Sequence, residues 1–174
     1  MSSRRSTTHP RPSKHAGLQV LAILLLSGCA REAPEPDWAR QLKHADPKVR
    51  YTAVQSLGNQ GDQGKAWVSA LAQMLRDQDD TVRIGTVYAL ARIGPDGASA
   101  IPSLSKALSD RNKQVRVGAA YALPAMGPEA QKALPSLEQA ARDYDPEVRS
   151  QAAKSIKQIQ LAQKFQRSTR ASSK

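Results

Sequence analysis

Side chains suited to a core fall at helical spacing in two matching runs. The first is Val82, Ala89, Leu90 and Ile93, with the small Thr86 between them, and the second is Val115, Ala119, Ala122, Leu123 and Met126. Positions three and four apart share one side of a helix, so each run is a single apolar face. The second run repeats the first 33 residues later, and the same offset separates Val49-Arg50, Val82-Arg83, Val115-Arg116 and Val148-Arg149. A fixed period of this length predicts stacked helical units, because one short hairpin cannot cover its apolar face alone. Shorter runs follow: Val68, Leu71 and Leu75, then Ile101, Leu104 and Leu108, then Leu134, Leu137 and Ala141. They predict a second helix in each unit.

Polar punctuation supports this frame. Each unit opens on a helix-start signal, at Asp46-Pro47, Asp79-Asp80, Asn112-Lys113 and Asp145-Pro146. An Asp or Asn side chain accepts from an orphan backbone N–H at such a start, and proline fits the first turn, where no donor is needed. Gly94-Pro95 and Gly127-Pro128 stop the first helices, since glycine takes a left-handed conformation and proline cannot extend the helix. Trp38 and Leu42 stand one period before Leu71 and Leu75 and predict an N-terminal capping helix. Gly58, Gly61 and Gly64 are expected to loosen the turn of the first unit, and Pro124 to bend its helix by removing a backbone bond. From Pro146 to about Phe165 one long helix is expected, with Val148, Ala152, Ile156 and Ile159 inward.

The run Asp79-Asp80-Thr81-Val82-Arg83, then Ala89 to Gly94, Ala100-Ile101-Pro102 and Leu108-Ser109-Asp110 resembles the short HEAT-like repeat of phycobilisome-lyase-type proteins. The third unit, from Asn112 to Ala141, carries the same likeness. The resemblance implies an all-α fold, a short right-handed α-solenoid of helical hairpins with about three full repeats and capping helices. It also implies that Arg50, Arg83, Arg116 and Arg149 each reach an aspartate in a neighbouring inter-repeat loop, among Asp77, Asp79, Asp110, Asp143 and Asp145. Recurrence in every unit makes that ladder structural.

The first residues read differently. Arg4, Arg5, Arg11 and Lys14 precede the apolar run Val20 to Leu26, with no acidic residue between them, and Ser27-Gly28-Cys29 follows. A basic leader, a short apolar core and small residues at the cleavage point make an export signal. The run is too short to span a bilayer, which takes about 20 apolar residues. Leu26-Ser27-Gly28-Cys29 resembles the lipobox of bacterial lipoproteins, which implies lipidation of Cys29. With Ala30 next rather than aspartate, outer-membrane sorting facing the periplasm is expected. The division that follows is a signal peptide at 1–28, an anchor linker at 29–36, a repeat domain at 37–165 and a basic disordered tail at 166–174.

Charge and chemistry narrow the function. Of the net charge of +11, the leader contributes four, and most of the rest lies beyond Glu147, where Arg149, Lys154, Lys157, Lys164, Arg167, Arg170 and Lys174 meet no acid. That segment is either a solvated cap or a contact for anionic lipid or acidic polymer. Nucleic acid is not expected, because export removes the chain from it and no aromatic residue interleaves the charges after Phe165. Cys29 is the single cysteine, and His44 is the single histidine after the leader. No catalytic group, metal site or cofactor is therefore expected.

What remains is surface. HEAT-like units commonly carry a charged pair on the outward side of the first helix, but here those slots hold Ile84 with Tyr88 and Val117 with Tyr121, preceded by Tyr51 with Gln55. Stacking would align them into an apolar strip suited to a protein partner. Alternatively the tyrosines lie over their neighbours merely to stabilise the helices, or the units rotate enough to bury them. The inner face, with Gln73, Ser103, Lys106, Ser136 and Gln139, offers no acidic or aromatic cluster. The expectation is a non-catalytic, lipid-anchored binding scaffold of the cell envelope. The resemblance allows one alternative, a bilin lyase-like or chromophore-handling protein.

Overall fold

A computed structural model describes residues 37–172. The leader, Cys29 and the anchor linker lie outside the described residues. Helix α1 is one turn, Trp38–Gln41, and α2 spans Pro47–Asn59. A 3₁₀ stretch then leads to α3, Val68–Met74. The next unit is α4, Asp80–Ile93, a 3₁₀ stretch, and α5, Ile101–Ala107; the third is α6, Lys113–Ala122, a 3₁₀ stretch, and α7, Leu134–Ala140. Helix α8, Pro146–Ser172, ends the stack. Every element among the described residues is helical, and α2, α4, α6 and α8 pack in sequence on one another. This is a short α-solenoid.

Local chemistry sets each boundary. Asp46, Asp79, Asn112 and Asp145 accept from the backbone N–H of Lys48, Thr81, Gln114 and Glu147 at 2.8 to 2.9 Å. Each such cap stabilises its helix by about 1 kcal/mol. Gly61, Gly94 and Gly127 all take positive φ, at 55°, 68° and 70°, so the backbone turns left-handed at the same place in each unit. Gly61 is thus in register with the other two rather than a loosening element. Gly58 is no looser. A Cβ there would stand 2.6 Å from the Cα of Ala89, so the missing side chain lets α2 approach α4 closely.

Pro124 does more than bend its helix. Helix α4 runs to Ile93, whereas α6 ends at Ala122, the counterpart of Ala89, and continues as 3₁₀. Proline supplies no N–H for the carbonyl of Ala120 four residues back. The Ser155 hydroxyl of α8 donates to that carbonyl at 2.7 Å and is itself fully buried.

The core is a single ribbon of side chains between the helix rows. Leu57, Leu71, Leu90, Leu104, Leu123, Met126 and Leu137 have no exposed surface. Val82, Thr86, Ala89, Leu90 and Ile93 are all buried, as are their counterparts from Val115 to Met126. The C-terminal helix departs from expectation. It continues to Ser172, through residues expected to form a disordered tail from 166. No glycine or proline interrupts Gln166 to Ser172, and Thr169 Oγ1 donates to the carbonyl of Phe165 one turn back, at 3.2 Å.

Candidate functional site

Three inter-helix loops carry one motif. Arg50 donates through Nε and Nη2 to Asp77 at 2.8 and 2.7 Å, Arg83 to Asp110 at 2.9 and 3.0 Å, and Arg116 to Asp143 at 2.9 and 3.2 Å. Each is a bidentate pair spanning 27 residues. The third nitrogen, Nη1, donates backwards to the carbonyls five and six residues earlier: His44 and Ala45 for Arg50, Asp77 and Gln78 for Arg83, Asp110 and Arg111 for Arg116. One guanidinium thus ties the loop before its helix to the loop after the next. Each aspartate also accepts from the N–H two residues on, in Asp79, Asn112 and Asp145.

Two corrections to the expected ladder follow. Asp79 and Asp145 are helix caps, not arginine partners. Among the described residues Arg149 reaches no carboxylate; its Nη1 donates to the carbonyls of Asp143 and Tyr144 at 2.9 and 3.0 Å. At the other end His44 occupies the aspartate position, and its Nδ1 accepts from the Asp46 N–H at 3.0 Å.

Around Asp80 the ladder branches. Its carboxylate accepts from Asn112 Nδ2, Arg83 Nη2 and Arg111 Nη2 at 2.9, 2.6 and 3.1 Å. Those three donors, Asn112 foremost, hold the Asp80 carboxyl down to about 2. Burial pushes the Asp77 carboxyl up, but the bonds from Arg50 and the Asp79 N–H outweigh it and the net shift is downward. These groups lock the loops together.

Beside the ladder the second helices and loops form a groove. Between α5 and α7 it measures about 780 Å³ and is lined by Ser105, Arg111, Ser136, Gln139, Arg142 and Tyr144 among others. One unit earlier the counterpart measures about 470 Å³, with Arg76, Ser103 and Lys106 on its wall. Tyr144 is 80% exposed, and the Arg116 guanidinium lies 4.7 Å from its ring centroid. The sequence marks Asp80 only as part of a helix start and does not single out Tyr144 or Arg111. Tyr144 was legible as an aromatic residue in an inter-repeat loop where the earlier units have Gln78 and Arg111.

The expected strip on the first helices is only partly open. Tyr121 is 56% exposed, whereas Tyr51, Ile84, Tyr88 and Val117 are half-buried and packed against the core. The reason is the close approach of neighbouring first helices. The Tyr51 ring lies over Gly85, and Val87 and Tyr88 lie over Gly118. Tyr88 and Tyr121 do meet, with ring centroids 6.1 Å apart and planes tilted by 51°. A shallow pocket of about 270 Å³ opens beside them, lined by Tyr88, Ala91, Arg92, Tyr121 and Ala125. Among the described residues no group of His, Cys, Asp and Glu is placed to hold a metal ion.

The sequence model of HEAT repeats matches residues 35–110 and 101–168. The chain belongs to the HEAT repeat family. No curated protein matches it. Solved structures do: an engineered protein at 24% identity and TM-score 0.60, covering 72% of this chain and 62% of that one. A designed armadillo repeat protein in complex with peptide (KR)4 is similar at 21% identity and TM-score 0.60, over 70% of this chain and 62% of that one. The complex of CpcE and CpcF of phycocyanin lyase from Nostoc sp. PCC7120 is similar at 20% identity and TM-score 0.51, over 75% of this chain and 67% of that one. This HEAT chain spans less than two thirds of the first two structures. At these identities the likeness shows the fold alone.

Proposed function

We propose that this HEAT-repeat chain is a non-catalytic scaffold of the bacterial cell envelope, anchored through lipid on Cys29 and presenting its repeats to a protein partner. The observation that carries the reading is the Tyr88–Tyr121 pair. It is the place on the first-helix row where two aromatic rings meet, beside a shallow pocket, with one of them largely exposed. Tyrosine is enriched at protein interfaces, where it adds contact area at low entropic cost. Among the described residues no helix is long and apolar enough to cross a membrane, and the proposed anchor is the lipid on Cys29.

Two measurements test this. Acyl labelling should fall on the wild-type chain and disappear in Cys29→Ser, which should accumulate as a soluble or uncleaved form; labelling that persists in the variant refutes the anchor. Capture of a partner from crosslinked membranes should depend on Tyr121, and capture indifferent to Tyr121→Arg refutes the surface.

A second reading draws on the likeness to the phycocyanin lyase complex. On that reading the chain handles a bilin, and the purified protein shifts the absorption band of added bilin. The export signal speaks against it, because phycobiliprotein substrates are cytoplasmic.

A further inference from the structure

Among the described residues, helix α8 exposes a face whose counterparts in the earlier units are covered. Val54 with Leu57 on α2, Val87 with Leu90 on α4, and Ala120 of α6 with Leu123 just after it have no exposed surface. The counterparts on α8 are Ala153, which is exposed, and Ile156, which is half-buried. One turn before them stands Arg149, exposed, where Arg83 and Arg116 are each 3% exposed. Arg149, Ala153 and Ile156 fall at positions i, i+4 and i+7, so they share one side of the helix.

The arginine is also set in the geometry of its counterparts. In Arg50, Arg83 and Arg116 the Nη1 bonds to two loop carbonyls fix the guanidinium plane, and Nε with Nη2 then face a carboxylate. Arg149 makes the same pair of carbonyl bonds, at 2.9 and 3.0 Å. Its Nε and Nη2 make no hydrogen bond among the described residues, and no acid pairs with it. A planar fork held in place loses little further freedom on binding, and it matches a carboxylate bidentately.

We propose that the Arg149, Ala153 and Ile156 face is a docking site for a partner protein that presents a helix ending in an acidic loop, its Asp or Glu seating on Nε and Nη2 of Arg149. The partner completes the stack as one more unit would. A second copy of this chain is a poor occupant. Placed head to tail, its first loop would bring to Arg149 the residue at the aspartate position, which is His44, and the Nδ1 of His44 already accepts from the Asp46 N–H. The tyrosine pair on α4 and α6 is a separate surface, so the two proposals fail independently.

The test titrates the full chain with a lactam-stapled peptide copying residues 134–157, which carries the α7 helix, the acidic loop with Asp143 and the start of α8. Fluorescence anisotropy should report saturable binding that weakens by about tenfold or more when the peptide carries Asp143→Asn, because a bidentate charge-assisted pair is lost. Arg149→Gln in the chain should weaken the aspartate peptide to the same degree and make the two peptides indistinguishable, with Arg149→Lys restoring part of the difference. Circular dichroism melting checks that the variants fold, and the peptide-side change needs no variant of the chain. No binding, or equal binding of the Asp and Asn peptides to the wild-type chain, overturns the proposal. So does sedimentation that shows self-association lost in Arg149→Gln, which would make a second copy the occupant.

Discussion

The Ser155 hydroxyl donates at 2.7 Å to the carbonyl of Ala120, the group that Pro124 deprives of its helical donor. A break in one helix is thus satisfied by the next, and the contact is fully buried. Ser155→Ala should cost about 1 to 3 kcal/mol, because it leaves a buried acceptor unpaired. Replacing Pro124 with alanine restores the N–H, so in that background the same change should cost under about 0.5 kcal/mol. Urea unfolding of the four proteins of this cycle measures the coupling; equal costs in both backgrounds would show that the serine acts only through packing.

The ladder should be strong inside the stack and weak at its end. Arg83 is 3% exposed and holds two carboxylates and two carbonyls. Arg83→Met strands Asp110 beside a buried face and should cost about 3 to 5 kcal/mol. Arg149→Gln removes an exposed side chain bonded only to two carbonyls, and its cost should stay under about 1 kcal/mol. Denaturation midpoints that fall equally for both would contradict a pairing that stops at Arg116.

Acid should unlock the loops over a defined range. The Asp80 carboxyl lies at about 2, and that of Asp77 is also held below its ordinary 3.8. Where the folded-state pKa is depressed, the unfolded chain binds the extra proton, so the stabilisation is complete above about pH 4 and is lost as pH falls towards 2. Thermal melts should therefore be level from neutrality to about pH 4 and drop below it. Asp80→Asn should flatten part of that drop, and an unchanged acid limb would assign it to other carboxylates.

The tyrosines should separate by burial. Tyr121 is largely exposed, and Tyr121→Arg should change stability by under about 0.5 kcal/mol. Tyr88 is half-buried over Gly118, so Tyr88→Glu should cost about 1 to 2 kcal/mol by removing that packing and placing a charge against it. Comparable melting temperatures for the two variants would mean that Tyr88 is freer than its packing shows.

Much of the solenoid was legible because its signals are local and repeated. The cap at Asp79, the stop at Gly94 and the stripe from Val82 to Ile93 each rest on near neighbours in sequence, and a second copy 33 residues on confirms the reading. What stayed hidden depends on distances between units. Whether Tyr88 is open or covered turns on the gap that Gly118 leaves in the next helix, and the role of Ser155 turns on a proline more than 30 residues away. The aspartate partners were named as a set, but which were caps and which were ladder rungs required the loops in place. A polar composition from Gln166 onward suggests disorder, yet nothing in Gln166 to Ser172 interrupts a helix, and α8 continues to Ser172.

The proposed function requires the Tyr121 surface to meet a specific protein at the membrane. A photo-crosslinking amino acid placed at Tyr121, with a second chain labelled at exposed Lys132 as control, tests it most directly in intact envelope membranes. One discrete adduct is expected from position 121, identified by mass spectrometry, absent from position 132 and lost from membranes carrying Cys29→Ser. Matching adducts from both positions, or none from position 121, would contradict it.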